Sequence, residues 1–205
     1  MNPTSDITVL TIGHSNHEVM RLVSLLRAHG VTAIADVRSS PYSRSNPQFN
    51  RMPLQESLKA QGIAYVFLGR ELGGRPEDPG CYLEGKVQYS RLAQTPLFKK
   101  GLGRVVKGAR SHRIALLCAE AEPLVCHRTI LIAQELALTG VLVSHVHANG
   151  KLESHAEAMS RLVGLLGLAD KDLYRTKEEI FADACALQAK RIAYEGEEIG
   201  EKASA

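Results

Sequence analysis

ITVLTIGHSN, residues 7–16, is the stretch that decides the fold class, because a short apolar and β-branched run ends abruptly in glycine and polar side chains. The apolar part, residues 7–12, is too short for a helix and is typical of a strand buried on both faces. Similar runs recur further along the chain, at residues 31–37, 63–68, 113–118 and 141–146. The sequence therefore predicts five buried strands.

Helical patterns separate these strands. In the first gap, apolar residues repeat at helical spacing over residues 19–26, and Ser15 with Glu18 fits a capping box. Residues 127–138 are similarly predicted to form an apolar helix. Fully buried strands joined through helices pair in parallel with right-handed crossovers. We predict an α/β fold, with a doubly wound, mostly parallel five-stranded sheet and helices on both faces.

A single domain is expected over residues 1–195. A chain of 205 residues with 44% hydrophobic content can bury one substantial core. Helical patterns within residues 151–195 are expected to pack on a core formed by residues 8–150. The acidic tail, residues 196–205, has no periodicity, and we expect it to be flexible.

Composition and targeting signals narrow the choice of partners. A net charge of +3 is too small to favour a nucleic acid or a membrane as partner. The first residues, MNPTSDITVL, lack the charged and apolar regions of a signal peptide, and no apolar run approaches the roughly 20 residues that span a bilayer. We expect a cytoplasmic protein with no membrane partner. Its four scattered cysteines are expected to be thiols there.

Polar side chains follow four of the five predicted strands, at the edge where open parallel sheets bind ligands. We predict that most of them share one pocket, to which the fifth strand adds His145 and His147. The candidate catalytic residues are His14, Asp36, Cys118, Glu120 and Cys126, and the candidate ligand-binding residues are Ser15, Asn16, Arg38, Arg44, His127 and Arg128.

The segment CAEAEPLVCHR, residues 118–128, is the strongest single element. A strand, a turn and a helix start would place Cys126, His127 and Arg128 on a first helical turn, where unpaired N–H groups attract an anion. A thiol there should have a lowered pKa, and Arg128 could grip a phosphate. The alternative is that Cys118 and Cys126 are small packing residues.

No metal site is assigned from the sequence, and no cofactor is named. Cys118, Cys126 and His127 form a competing zinc set, but their C-x7-C-H spacing is not a zinc-finger or zinc-ribbon pattern. On a helix, adjacent Cys126 and His127 would point about 100° apart. That geometry makes binding of one ion by both awkward.

The segment DVRSSPYSR, residues 36–44, is the second element. Arg38 and Arg44 after a strand end are typical of an anion-holding loop, while a structural ion pair between Asp36 and Arg38 is the alternative. His14 is a candidate general acid or base, since histidine titrates near neutrality, or it is a histidine hydrogen-bonded to the next loop.

TIGHSN, DVRSSPYSR, LGGRP and the 118–128 segment together resemble the bacterial family known as domain of unknown function 488, over roughly residues 8–150. The resemblance supports the α/β prediction. It also implies that the polar strand-end residues share one site. A departure lies in HVHANG, where Asn149 precedes Gly150 and members of the family tend to have aspartate.

These observations favour an enzyme, a hydrolase or transferase with a catalytic Cys or His. It would act on a phosphate-bearing small molecule or nucleotide, so a small anionic ligand is the expected partner. One alternative is a nucleic-acid-binding module that uses the basic segment, residues 86–113. Another is a protein that binds a ligand without turnover.

Overall fold

The structure is a computed structural model that describes residues 7–169 and 174–196. The strands are β1 (Thr8–Gly13), β2 (Ala33–Asp36), β3 (Ala64–Phe67), β4 (Tyr82–Leu83), β5 (Lys86–Val87), β6 (Ile114–Cys118), β7 (Leu142–Val146) and β8 (Leu152–Ser154). The α-helices are α1 (Val19–Ala28), α2 (Arg51–Ala60), α3 (Gly69–Leu72), α4 (Tyr89–Gln94), α5 (Pro96–Ala109), α6 (Gln134–Leu138), α7 (His155–Leu165) and α8 (Lys177–Ile192). The flexible tail predicted from residue 196 lies, from residue 197 onward, outside the described residues.

The main sheet is mostly parallel, with strand order β3-β2-β6-β1-β7-β8. The five predicted strands all pair in parallel, and β8 runs antiparallel to β7. Within the described residues this sheet therefore has six strands, and the predicted count of five is wrong. The additional strand, β8, is three residues long and follows a turn that contains Gly150 at φ 87°. So short a segment carries no apolar run that a sequence pattern could detect.

Apolar side chains pack on the sheet in two clusters. Successive residues along a strand belong alternately to one cluster and to the other. In β1, Val9 belongs to one cluster, and Leu10 belongs to the other. Helices α1 and α2 complete the cluster of Leu10, whereas α5, α7 and α8 complete the cluster of Val9. The alternation follows from the two-residue period of a strand, whose side chains point to opposite faces.

Two predicted helix starts differ from the structure. Glu18 is the N-cap of α1 and makes no side-chain capping bond, while Ser15 has φ 51° and donates its N–H to the carbonyl of Ala119. The capping box predicted there is therefore wrong. The helix predicted from residue 127 begins as a π-helical segment, Arg128–Ala133, that continues into α6.

The helices of the described residues include none that is long and apolar enough to cross a membrane.

The strand order places three loops next to one another. Because β6 lies between β2 and β1, Cys118 at the end of β6 pairs with Gly13, and Leu117 pairs with Asp36. The loop after β1 is also tied to the loop after β6, since the N–H of His14 donates to the carbonyl of Cys118. The polar residues that follow these strands consequently meet at one edge of the sheet.

Candidate functional site

Two adjoining cavities lie at the carboxyl ends of β2, β6 and β1. The thiol cavity has a volume of about 460 Å³ and is lined by Arg38, Ser39, Ser40, Tyr42, Gly74, Arg75, Tyr89, Cys118, Ala119, Glu120, Val125, Cys126, His127, Ile192 and Tyr194. The histidine cavity has a volume of about 330 Å³ and is lined by His14, Ser15, Asn16, Arg38, Ser40, Tyr42, Ser43, Asn46, Ala119 and Glu120. Arg38 and Glu120 border both, so the two cavities form one polar crevice.

Four side chains converge in the wall of the thiol cavity, and we call them the thiol cluster: Cys118, Glu120, Cys126 and His127. Both thiols donate to the same carboxylate oxygen, Oε2 of Glu120, over 2.9 Å from Cys118 Sγ and 3.0 Å from Cys126 Sγ. His127 Nδ1 lies 3.7 Å from Cys118 Sγ and 3.9 Å from Cys126 Sγ. Two sulfurs and one imidazole nitrogen thus lie together, and a carboxylate is in contact with both sulfurs.

The orientation of the His127 ring is fixed on two sides. Nε2 lies 3.0 Å from the carbonyl oxygen of Val37, which can only accept, so Nε2 carries a proton and donates it. In the neutral ring Nδ1 therefore presents its lone pair to the thiols. Gly74 packs on the ring, where a Cβ would fall 3.1 Å from the ring carbon Cγ. Glycine at this position leaves room for the imidazole.

The thiol cluster perturbs the acidity of its members. Burial would raise the pKa of Cys126, but contact with Cys118 and the positive charge of Arg128 lower it well below its ordinary value. The same contact, together with burial, raises the pKa of Cys118. Burial and the nearby charge of Cys126 also raise the pKa of Glu120. Burial lowers the pKa of His127, but the hydrogen bond with Cys126 and the charges of Cys126 and Glu120 together raise it above its ordinary value. Of the two thiols, Cys126 is therefore the more acidic.

Local backbone geometry explains why neighbours in sequence converge. Cys126 follows a 3₁₀ turn, Pro123–Val125, and is extended, with φ −132° and ψ 139°. His127 is the N-cap of the π-helical segment. Cys126 is thus not on a first helical turn, and the expected 100° divergence of Cys126 and His127 does not apply. The sequence-based argument against joint binding of one ion by these two residues is wrong for this reason.

Arg128 lies behind the site rather than in it. Its side chain is fully buried, and Nη1 and Nη2 donate to the carbonyls of Glu120, at 2.6 Å, and Ala121, at 3.2 Å. Its Nε has no hydrogen-bond partner among the described residues. The anion grip predicted for Arg128 does not fit this placement, because the guanidinium holds the backbone of the loop that carries Glu120.

Arg38 and Asp36 form a buried ion pair. Arg38 Nε and Nη2 donate to the two carboxylate oxygens of Asp36, and Tyr65 Oη donates to Oδ2 of the same group. Nη1 donates to the carbonyl of Phe49 and to His14 Nε2. These contacts occupy both carboxylate oxygens of Asp36, which makes a catalytic role for it difficult. They leave one N–H of Arg38 Nη2 with no acceptor among the described residues.

His14 is likewise held at both ring nitrogens. Nδ1 donates to the carbonyl of Ser15 over 2.7 Å, and Nε2 accepts from Arg38 over 3.1 Å. The ring stacks on Phe49, with centroids 4.2 Å apart. Burial is the main cause that lowers its pKa, to about 4. His14 is neutral near pH 7 and orients Arg38, so the geometry fits the structural alternative better than a general base.

The remaining sequence candidates are dispersed. Ser15 and Asn16 line the histidine cavity. Arg44 is exposed and lines neither cavity. His145 is buried beside Thr11, and His147 pairs with Glu153, so neither reaches the crevice.

Several lining residues were not among the sequence candidates. Ser39 and Ser40 directly follow Arg38, so the strand-end rule could have found them. Arg75 belongs to the LGGRP segment, where the sequence makes it a possible ligand contact. Tyr194 could not be found from the sequence, because it reaches the cavity only through the return of the chain after α8. Its carbonyl accepts from the N–H of Val87, and its ring lies 4.3 Å from the Arg75 guanidinium.

Fold and site together define an α/β protein with a thiol, carboxylate and imidazole cluster at the carboxyl edge of a mostly parallel sheet. The chain belongs to the family described as domain of unknown function DUF488, whose model matches residues 18–134. That match covers more than half of the chain and confirms the family resemblance. Neither a curated protein nor a solved structure matches the sequence.

Proposed function

We propose that the crevice is the active site of an enzyme, a hydrolase or transferase, that acts on a phosphate-bearing small molecule of the nucleotide type. The observation that carries this proposal is the convergence of the thiol cluster in a cavity that also presents two arginines. Thiols, carboxylates and imidazoles supply nucleophiles and proton carriers, whereas guanidinium groups hold anions. Both kinds of group border the same volume.

We assign anion binding in the thiol cavity to Arg38 and Arg75. Arg38 is held rigidly by Asp36 and His14, and its remaining Nη2 proton is available to an acceptor in the crevice. Arg75 is exposed, and the Tyr194 ring supports its guanidinium. A fixed guanidinium loses little conformational freedom when it binds a phosphate.

Two exposed tyrosine rings in the thiol cavity make a nucleotide the best-fitting ligand. Tyr42 and Tyr194 line the cavity, with 67% and 37% of their surface exposed. Stacking of a base on an exposed aromatic ring contributes about 1–3 kcal/mol in single-stranded nucleic-acid complexes. Phe49, seven residues after Tyr42 in the chain, is buried under His14 and does not take part.

The position of the crevice supports the same proposal. We take the sheet to be doubly wound, since apolar clusters that include helices pack on alternate residues of its strands. In such folds ligands bind beyond the carboxyl ends of the strands. We also place the protein in a reducing compartment such as the cytoplasm, because all four cysteines are free thiols.

The test combines ligand binding with turnover. Thermal unfolding is followed with inorganic phosphate, nucleotides, sugar phosphates and, as uncharged controls, the matching nucleosides. A ligand at about 100 times its Kd should stabilise the protein by roughly 2.7 kcal/mol. The shift should shrink in Arg75→Ala and persist in Arg110→Ala, which removes an exposed cation at the end of α5.

Stabilising compounds are then incubated with the protein, and products are identified by mass spectrometry. We expect turnover that falls at least about 100-fold in Glu120→Gln, the usual size of a lost proton-transfer group. Stabilisation without product would instead indicate a ligand-binding protein without catalysis. A salt-sensitive complex with DNA or RNA, weakened by neutralising the exposed Lys99, Lys100 and Arg104, would favour the basic segment and overturn the proposal.

A further inference from the structure

The donor atoms of the thiol cluster match the requirements of a metal ion in both type and position. Cys118 Sγ, Cys126 Sγ and a ring nitrogen of His127 all lie within 4.8 Å of one another. Glu120 Oε2 is in contact with both sulfurs. Thiolate with imidazole is a donor set that selects zinc over the hard cations magnesium and calcium.

The spacing of these atoms is close to that of a tetrahedral site. Zinc holds sulfur at about 2.3 Å and imidazole nitrogen at about 2.0–2.1 Å, which separates the two ligands by about 3.6 Å in a tetrahedron. The observed separations of His127 Nδ1 from the two sulfurs are 3.7 and 3.9 Å. The Glu120 oxygen is nearer to the sulfurs than a co-ligand would be, as expected while both thiols still donate protons to it.

The surroundings of His127 also fit a ligand. Metal-binding histidines usually donate their second ring nitrogen to a carbonyl or carboxylate, which fixes the ring and its tautomer. His127 Nε2 donates to the carbonyl of Val37, and Nδ1 faces the sulfurs. The loop that carries Glu120 is fixed independently by Arg128. The ligand set is therefore preorganised on β6, on the turn that follows it and on the helix start.

We propose that the thiol cluster is a zinc site, in which Cys118 Sγ, Cys126 Sγ and His127 Nδ1 bind the ion. The fourth position, beside Glu120, stays open to a water molecule or a ligand atom from the cavity. Binding replaces two S–H bonds by two zinc–thiolate bonds and releases both protons to solvent. Zinc there supplies a Lewis acid beside the anion-holding arginines. As the cofactor of the same pocket, the ion rests on the proposed function, but its binding is measured without any substrate.

The primary test is the metal content of untagged protein purified without chelator. We expect about one zinc per chain in the wild type, and the same in Cys185→Ser and Cys81→Ser, which replace buried thiols outside the cluster. Cys118→Ser, Cys126→Ser and His127→Gln should lose the ion in competition with a chromophoric chelator. Glu120→Gln should keep the stoichiometry and bind more weakly. Cobalt(II) added to metal-free protein should give the thiolate charge-transfer absorption of a tetrahedral site.

A second measurement uses only wild-type protein, so it holds even if a variant fails to fold. Chelator-treated protein is labelled with a maleimide with and without added zinc, and the labelled cysteines are identified by mass spectrometry. Zinc should protect Cys118 and Cys126 and leave Cys81 and Cys185 unchanged. No zinc uptake by the wild type, or uptake that survives in Cys118→Ser, Cys126→Ser and His127→Gln alike, would overturn the site. If the protein bound no zinc but nucleotides still stabilised it, the proposed function would stand without the metal site. If it bound zinc but no phosphate-bearing ligand stabilised it, only the proposed function would be lost.

Discussion

The last residue of β1 is glycine because the carbonyl group of Glu120 occupies the space of a side chain. A Cβ on Gly13 would lie 1.7 Å from that oxygen and 2.7 Å from its carbon. Both are backbone atoms, so neither can rotate away. The close approach brings the loop after β1 against the loop that carries the thiol cluster. Gly13 is therefore a residue on which the geometry of the site depends, although it lines neither cavity.

Gly13→Ala should destabilise the protein by about 1–3 kcal/mol, the range for overpacking a tight site, because the Glu120 loop must move. Urea-induced unfolding measures this change. Gly103→Ala is the matched control: it lies in α5 with nothing within 4 Å of its added Cβ, and should stabilise by up to about 1 kcal/mol. Equal effects of the two substitutions would show that the loop tolerates displacement.

The Asp36 carboxylate belongs, by its contacts, to the folded framework rather than to the chemistry. Asp36→Asn should cost about 3 kcal/mol, because it leaves the buried Arg38 guanidinium without a compensating charge. Tyr65→Phe removes one hydrogen bond to the same carboxylate and should cost about 1 kcal/mol. Chemical denaturation of the two variants gives both values. A stable Asp36→Asn protein that has lost only turnover would restore Asp36 as a catalytic residue.

At the scale of elements, sequence patterns locate a strand when all of its residues are buried. The five parallel strands were predicted because each is a continuous apolar run between helices. The short β8 was missed, since its three residues are exposed or half-buried and pair only at the edge of the sheet. Strand ends also identified most of the thiol cluster. Its metal-like geometry could not be predicted, because helical periodicity suggested a helix at Cys126 where the backbone is extended.

The π-helical segment Arg128–Ala133 gives the helix start its unusual geometry. π-helical turns are rare and concentrate at functional sites. Here the turn begins at a buried arginine whose guanidinium holds the carbonyls of Glu120 and Ala121. The element thus links the interior of the protein to the loop beside the cavity, and Arg128 acts as a positioning residue.

Arg128→Lys keeps the charge but cannot reproduce two divergent hydrogen bonds from a planar fork. We expect a loss of about 1–3 kcal/mol of stability, since at least one buried carbonyl of the loop loses its donor. Differential scanning calorimetry checks this loss. Arg110→Lys, an exposed substitution, should change stability by less than about 0.5 kcal/mol. If both changes were neutral, the loop would not depend on Arg128.

For the whole molecule, contacts between distant parts of the chain complete the crevice. The family match ends at residue 134, yet Tyr194 lines the thiol cavity. Its backbone is tied to Val87, and Gln188 of α8 donates to the carbonyl of Leu124 in the turn before Cys126. No local pattern predicts such contacts, which is why this wall of the site could not be read from sequence. The family segment alone would leave that wall open.

Acid should weaken the whole fold through a buried chain of neutral polar groups. Thr11 donates to His145 Nδ1, His145 Nε2 donates to His155 Nδ1, and His155 Nε2 donates to the Gln134 side-chain oxygen. Protonating His155 at Nδ1 would set two N–H donors against each other, because His145 Nε2 already donates to that atom. Burial accordingly lowers the pKa of His155 to about 4, and burial with the charges of His155 and Arg128 lowers that of His145 to about 3.

The sign of the pH effect follows from proton uptake. In the unfolded chain these histidines bind protons below their ordinary pKa of 6.5, whereas in the folded protein they do so only near pH 4 or lower. The unfolded state therefore holds more protons between these limits, so stability falls as pH drops from 6.5 to 4, by up to about 3 kcal/mol for His155. Urea unfolding across this range should show a shallower pH dependence in His155→Gln. His112→Gln, which replaces an exposed histidine, should keep the wild-type slope, and identical slopes in all three proteins would contradict a buried neutral chain.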